Sequence, residues 1–310
     1  MSEWPSMTTM SSHFIEEDVH EPNVSKWRIR WSETIPYILL HVACIGVFWV
    51  GFSWAALALC LAMYVVRMFA ITGFYHRYFS HRTFRTTRPV QFLMGLLGTS
   101  AVQRGPIWWA AHHRDHHKYS DTEFDPHSPK QVGFWKAHCG WFLCKEAAPV
   151  RIRLVRDWMR FPELVWLDRF HHVPVILTAL LMLGLGFTAS TWWPGLGLTA
   201  GQALFWGFFL STVLCYHGTY TINSLAHVWG RRDFETPDDS RNNFWLALIT
   251  LGEGWHNNHH HYPASVRQGF RWWELDPTWW TLWTMGKLRL VRDLNGVPDR
   301  VQKQRMQPGS

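Results

Sequence analysis

The sequence predicts an all-α integral membrane protein, with four transmembrane helices and a cytosolic helical cap holding a histidine-rich metal site. Three observations predict this class. Apolar residues gather in blocks long enough to cross a bilayer. Basic residues are segregated from the turns between those blocks. Histidines cluster where the blocks end. A mean hydropathy of −0.13 conceals this segregation in a chain of 310 residues with 47% hydrophobic residues, 22 Trp and 20 Phe.

Residues 1–34 read as a polar tail and pre-membrane segment, loosely ordered over 1–25. They have no apolar h-region, so no cleavable signal peptide is expected. Residues 35–74 carry one formal charge, Arg67. At roughly 20 apolar residues per span this block fits a helical hairpin that turns near Gly51-Phe52-Ser53, with Pro36 suited to a first helical turn. Residues 173–222 form a second hairpin, broken at Trp193-Pro194-Gly195-Leu196-Gly197. Between them, 75–172 is a cap segment, and 223–310 completes the cap and ends in a tail. Val90 to Val102 is apolar but too short to span, and reads as a buried or interfacial helix.

Orientation follows from charge. Segment 75–172 holds 15 of the 30 Lys and Arg residues, and neither hairpin turn holds any. Lys and Arg accumulate on the cytoplasmic side, so both termini and the cap are expected there. The net charge of +7 is then mainly topological; no nucleic-acid motif accompanies it. Paired Trp residues at block edges fit an aromatic belt. The five cysteines (Cys44, Cys60, Cys139, Cys144 and Cys215) form no CxxC pair and read as packing residues in a reducing setting.

The histidines carry the chemistry. His113, His116 and His117 are spaced i, i+3, i+4 and share a helix face. His256, His259 and His260 repeat that spacing. His76 and His81 diverge by about 140° on a straight helix, and converge if the helix ends between them. Asn223 and His227 form a further i, i+4 pair at the end of the fourth span. Eight imidazoles in three clusters are too many for one ion and suit two; imidazole-rich sites take iron, copper or zinc, and spacing alone does not choose. Asp115, Asp121, Asp125 and Glu253 are candidates to orient imidazole N–H groups. His20, His41, His138, His171, His172 and His217 read as ordinary residues, and His112 and His261 as neighbours of the clusters. Two Glu-x-x-His tetrads, Glu17–His20 and Glu253–His256, make only weak matches to carboxylate-bridged bundles. Arg67 reads as a structural cation near a span exit, over a role in ordering the site.

The segments HRYFSH (76–81), HRDHHKYSDTEFDPH (113–127), NSLAH (223–227) and GEGWHNNHHHYP (252–263) resemble the membrane fatty acyl desaturases, and within them the stearoyl-CoA (Δ9) branch. The likeness runs from about residue 35 to 275. It implies a four-helix protein whose cytosolic cap holds two iron ions, with O2 as co-substrate. One iron would be held by His76, His81, His113 and His260, with Asn223 acting through water. The other would be held by His116, His117, His227, His256 and His259. The implied reaction inserts a cis double bond, at position 9, into a saturated long-chain acyl group. Leu, Phe and Trp residues of the spans and the Trp108-Trp109 region would line an acyl tunnel. The implied electron donor is a separate protein such as cytochrome b5 or a ferredoxin with its reductase, since the chain shows no haem, flavin or iron–sulfur motif. Arg151, Arg153 and Arg156 offer a basic face to dock it, or to meet anionic lipid.

One departure bears on the substrate. Where the branch has an Arg-Asp pair for the coenzyme A head group, this chain has Ala111 and His112, and downstream basic residues thin to Cys144-Lys145-Glu146. Acyl-CoA is the first expectation and a phospholipid-linked acyl chain the second. A bacterial inner membrane is expected over the endoplasmic reticulum. Two alternatives are a membrane hydroxylase or ketolase acting on an alkane, sterol or carotenoid, and a histidine-rich metal transporter or sensor. The transporter would need ligands along a mid-span path, and His41, Arg67 and His217 form no evident one.

Overall fold

The computed structural model describes residues 14–15 and 27–304. Helices dominate. Among the described residues three are long and apolar enough to cross a membrane: α1 (Trp31–Val50), α2 (Trp54–Ser80) and α7 (His172–Trp192). Gly51, at φ +73°, turns the chain between α1 and α2. Ser53 then caps α2, its hydroxyl accepting from the Ala56 N–H at 3.1 Å. The Gly51 conformation suits a residue without Cβ. Trp49, Trp54, Trp192 and Trp193 are exposed at the far ends of these helices, where an aromatic belt belongs.

The fourth expected span, α8 (200–223), is one continuous helical run. It opens on a capping box between Thr199 and Gln202. It winds as a π-helix over Phe205–Leu210 and returns to α-helix over Ser211–Asn223. Its buried Gln202, Ser211 and Thr212 leave it less apolar than the other three. α7 and the start of α8 pack closely. A Cβ on Gly186 would lie 2.5 Å from the Thr199 carbonyl and 2.6 Å from the Ala200 Cα. Small residues at such crossings let helix backbones approach.

α2 is the hub. It packs on α8 within the span region and on α3 (Arg88–Thr99) and α4 (Pro106–Tyr119) beyond it. Val90 to Val102 thus falls largely on α3, a separate short helix. The lower half of α2 winds as a π-helix over Ala70–Ser80. The rest of the cap comprises α5 (Ile152–Met159), α6 (Pro162–Arg169), α9 (Phe244–Ile249), α10 (His256–His261) and α11 (Pro277–Lys287). Two small pairings tie distant segments. β1 (Phe14–Ile15) runs parallel to β3 (Val150–Arg151), and β2 (Arg85–Thr86) antiparallel to β4 (Val291–Arg292). The expected loose tail is therefore corrected at residues 14–15, which are paired; Glu17 and His20 lie outside the described residues.

Helix ends in the cap are closed by side chains from elsewhere. Arg114 donates to the Phe79 and Ser80 carbonyls at 2.8 Å each, satisfying the open end of α2. The Trp108 N–H, in the first turn of α4, donates to the Asp168 carboxylate at 2.8 Å. Arg77 is fully buried on α2. Its Nε and Nη2 donate to Glu253 Oε1 at 3.1 and 3.0 Å. Its Nη1 donates to Asp276 Oδ2 at 3.0 Å and the Val266 carbonyl at 2.8 Å. Asp276 also caps α11 through the Trp279 N–H. One cation thus binds α2 to three parts of the C-terminal segment.

Removing one partner of a buried ion pair strands the other charge, at about 3–5 kcal/mol. Arg77→Met is therefore expected to lower the unfolding free energy of the detergent-solubilised protein by that amount, read by chemical denaturation, with Arg77→Lys intermediate. A loss under about 1 kcal/mol would show that Arg77 does not clamp the cap.

Candidate metal centre

α2, α4, α8 and α10 bring the histidines together. His76 and His81 converge, their ring centroids 4.9 Å apart. The helix ends between them, at Ser80, as the convergence required. Its last turns are wound i→i+5, closing on the His81 N–H, which donates to the His76 carbonyl at 3.2 Å. A π-turn carries residues five apart onto one face. On α4, His113 and His117 share a face, while His116 points to a different neighbour. α10 is too short to hold itself, and the two asparagines between its histidines fix it. Asn257 Oδ1 accepts from the Asp233 and Phe234 N–H groups at 2.8 and 2.7 Å. Asn258 joins Asn242, the Gln268 carbonyl and Glu274.

Two sets of nitrogens result, each with all members within 4.8 Å of one another: His76, His81, His113, His117 and His259; and His116, His227, His256 and His260. This corrects the partition drawn from the resemblance. His117 and His259 fall with the first set and His260 with the second. The cause is α10. His256 and His260, four apart, face His116 and His227, whereas His259 projects away toward His76 and His117. The sets adjoin, with the His117 and His260 rings 4.4 Å apart. Asn223 is outside both sets and lines the adjoining cavities with His113.

Carboxylates fix the imidazoles. Nδ1–H groups donate from His76 to Glu253 at 2.5 Å, His116 to Asp125 at 3.0 Å, His227 to Asp121 at 2.8 Å and His260 to Asp238 at 2.7 Å. A neutral ring that gives its Nδ1 proton to a carboxylate presents a lone pair at Nε2. Asp121, Asp125 and Glu253 thus lie where sequence reasoning sought orienting carboxylates. Asp115 is placed on Arg151 instead. Asp238 escaped sequence reasoning, as did Gln268, whose amide reaches Glu253 at 2.7 Å and His76 at 3.2 Å. So did His127, which shares Asp125 with His116; it had been quoted within a motif but given no role. Asp238 lies in a Pro-Asp-Asp-Ser loop with no spacing to mark it.

Burial, then the neighbouring imidazoles, holds the pKa of His81, His113, His117, His256 and His259 well below the ordinary value. His260 is pushed down to about 4, burial outweighing Asp238. Burial opposes the charged forms of Asp125 and Asp238, but their imidazole partners prevail and keep both carboxyls ionised. These six rings are therefore neutral ligands, whereas at His116 burial is outweighed by Asp125 and its neighbouring carboxylates, which raise its pKa.

These groups fit metal cations. His256 Nδ1, His259 Nδ1 and His260 Nε2 are buried without a hydrogen-bond partner, a state costing about 1–3 kcal/mol per group. Nε2 atoms face each other at 3.0 Å (His76–His259), 2.8 Å (His81–His113), 2.9 Å (His117–His259) and 3.1 Å (His227–His256). Two imidazole nitrogens bound at right angles to one divalent ion lie about 2.9 Å apart. Among the described residues no cysteine belongs to either set.

Residues 52–291 match the fatty acid desaturase family. The chain belongs to that family. It is 35% identical to an sn-2 palmitoyl-lipid 9-desaturase of Nostoc sp. (strain 36), over 87% of this chain and 92% of that one. It is 34% identical to an acyl-CoA C20 Delta5-desaturase of Anemone leveillei, over 90% and 88%. An sn-1 stearoyl-lipid 9-desaturase of Anabaena variabilis is 35% identical, over 87% and 95%. The Δ9-like membrane desaturase branch read from the histidine motifs stands. The chain is an oxidoreductase of fatty acyl chains.

A cavity of about 590 Å³ reaches this desaturase centre, where His113 and Asn223 line it. Trp109, which stacks on His113 at 5.0 Å, forms part of its wall. A smaller cavity of about 40 Å³ lies between the two nitrogen sets, bordered by His76, His116, His256 and Asn223. His171 and His172, read as ordinary from sequence, line the large cavity. His41, His217 and His138, also read as ordinary, form a hydrogen-bonded row, with contacts of 3.2 and 3.0 Å, that ends on Ser224.

Glu274, which holds Asn258, yields a pH prediction. Burial pushes its pKa up to about 7. A carboxyl raised in the folded state stabilises it fully below the unfolded pKa near 4.5, and that contribution is lost as pH rises through 7. Glu274→Gln should remove this dependence. Melting temperatures of wild type and variant are expected to diverge between pH 5 and 8, with the variant gaining on the order of 2–3 kcal/mol at the alkaline end. Parallel curves would show that Glu274 does not titrate in that range.

Proposed function

We propose that this desaturase holds two iron ions, one in each nitrogen set, and uses O2 to insert a cis double bond at position 9 of a saturated long-chain acyl group. The carrying observation is the pair of adjoining imidazole sets, four of their rings fixed in tautomer by carboxylates, beside an apolar cavity that His113 and Asn223 line. When bound, the irons supply the oxygen activation and redox change that an unactivated methylene demands. In balance, two hydrogens leave the chain, and O2 takes these with two electrons and two protons to give two waters. The electrons come from a separate carrier such as cytochrome b5 or a ferredoxin. Arg153 and Arg156 lie exposed on the basic face for its docking, and Arg151 pairs with Asp115.

The chain's own residues position and shield. Trp108, Trp109, Trp141 and Phe142 wall the cavity and exclude water from the reacting carbons. Gln103 bonds Thr219 at 2.9 Å and so joins the loop before α4 to α8. Glu253, Asp121, Asp125 and Asp238 keep their imidazoles facing the centre. Asn223, within reach of both cavities, is suited to hold a water at the first set. We read α8 as the fourth span, and the cap with its histidines as cytoplasmic, in a bacterial inner membrane.

The rim of the cavity favours a carrier. Ser32 and Pro36 on α1, and His172 and Ile176 on α7, line the cavity and are also exposed. The mouth therefore lies between two apolar helices, on the bilayer side. Glu33 there is paired with Arg30 at 3.4 Å and Arg104 at 3.8 Å, so these two cations of the rim already face a carboxylate. A glycerolipid-linked chain suits this rim better than the acyl-CoA first expected, in line with the names of the Nostoc and Anabaena relatives.

Expression in a desaturase-deficient host, with gas chromatography of total fatty acids, is expected to yield a cis monoene. After a short isotopic pulse, label should appear in the monoene of intact lipids before that of acyl-CoA. The reverse order would restore acyl-CoA, and hydroxylated products would remove the desaturase reading. His116→Ala is expected to abolish the monoene and lower bound iron, while His261→Ala does neither. Equal losses would mean that the two sets have no special role.

A further inference from the structure

Arg67 is the sole charged residue of the first apolar block. It is fully buried on α2, in the part that packs against α8. Its Nη1 donates to Ser211 Oγ at 2.8 Å, Thr212 Oγ1 at 2.7 Å and the Phe208 carbonyl at 3.4 Å. All three acceptors lie at or just beyond the π-wound stretch Phe205–Leu210 of α8. The Ser211 hydroxyl passes its own hydrogen to the Gly207 carbonyl at 2.6 Å. The guanidinium carbon also stands 5.2 Å from the centroid of the Phe208 ring, within cation–π range. Among the described residues its Nε and Nη2 have no hydrogen-bond partner. A cation with N–H groups unmet inside an apolar slab is costly and marks function by default. Arg67 is thus held within the helix packing by hydroxyl and carbonyl acceptors.

What Arg67 holds is a wall of the cavity. α8 lines it with Asn223, Tyr220, Thr219, Tyr216 and Phe208. Asn223 is at the metal end, and Phe208 lies ~20 Å further along at helical rise. Arg67 grips both the carbonyl and the ring of that residue. We propose that Phe208, clamped by Arg67, is the end wall of the acyl cavity and sets which chain lengths are desaturated. This rests on the reading that the cavity holds the acyl chain. With the reacting carbons fixed beside His113, each added methylene pushes the methyl end toward the Phe208 ring. An apolar wall discriminates one methylene by about 10–200-fold. Phe208 is then a specificity residue and Arg67 a positioning residue.

Wild type, Phe208→Ala, Phe208→Leu, Arg67→Lys and Arg67→Met are expressed in the desaturase-deficient host. Cells are fed saturated acids of graded length, and the monoene ratio of longer to shorter chains is read by gas chromatography beside the iron content of purified protein. Phe208→Ala is expected to raise that ratio at least about tenfold at unchanged iron content, with Phe208→Leu intermediate. Arg67→Met should broaden the profile to both sides, and Arg67→Lys should restore part of it. An unchanged ratio in a Phe208 variant that accumulates with its iron overturns the inference; should Phe208→Ala fail to accumulate, Phe208→Leu decides. A wild type that makes no monoene overturns the reading of the site instead.

Discussion

Four buried carboxylates, each accepting a hydrogen bond from the Nδ1–H of a cluster imidazole, impose the order on which the centre depends. Glu253, Asp121, Asp125 and Asp238 fix ring orientation and tautomer together, so the Nε2 lone pairs point inward before any ligand arrives. A buried carboxylate is tolerable only when its oxygens are met by donors. Each of the four meets that condition: Asp121 also takes the Asp239 N–H and the Ser128 hydroxyl, and Asp238 the Ser240 N–H. Negative charge around neutral rings makes a pocket complementary to cations. The same charge explains why Arg77 is buried at its edge, where it offsets Glu253 and Asp276 while joining α2 to the C-terminal segment.

The legible part of this arrangement was local. Spacing on α4 and α10 depends only on helical geometry, and the apolar blocks only on length, so clusters and long helices could be read directly. What failed was whatever depended on a second element. His76 and His81 meet through a change in winding, which no residue pattern announces. The partition between the two sets turns on how α10 is rotated against α4, and that rotation is set by Asn257 and Asn258 reaching Asp233, Phe234 and Asn242. Asp115 has the right type and neighbourhood but faces Arg151 across α4. Asp238 lies more than a hundred residues from the histidine cluster of α4 and reaches His260 only through its loop.

α8 is a milder case. The block 173–222 still reads as a hairpin that includes it, although its polar residues lower its hydropathy below that of the three long apolar helices. Those residues are the ones with work inside the molecule: Ser211 and Thr212 receive Arg67, Thr219 receives Gln103, and Asn223 borders the metal centre. A helix that must serve a polar centre at one end and a buried cation in its middle cannot also be uniformly apolar.

Cavity and centre share elements, and this links two kinds of selectivity. Trp109 and His113, four apart on α4, present one face on which the ring stack is continuous from cavity wall to ligand. On the proposed reading, an acyl chain lying against that face would have its reacting carbons counted from the rim between α1 and α7, and its permitted length counted from the other side, toward Phe208. The first distance would be carried by α4 and the cap, the second by α8 and Arg67. Different helices would then set double-bond position and chain length. Relatives named for different positions and different carriers are compatible with such a division.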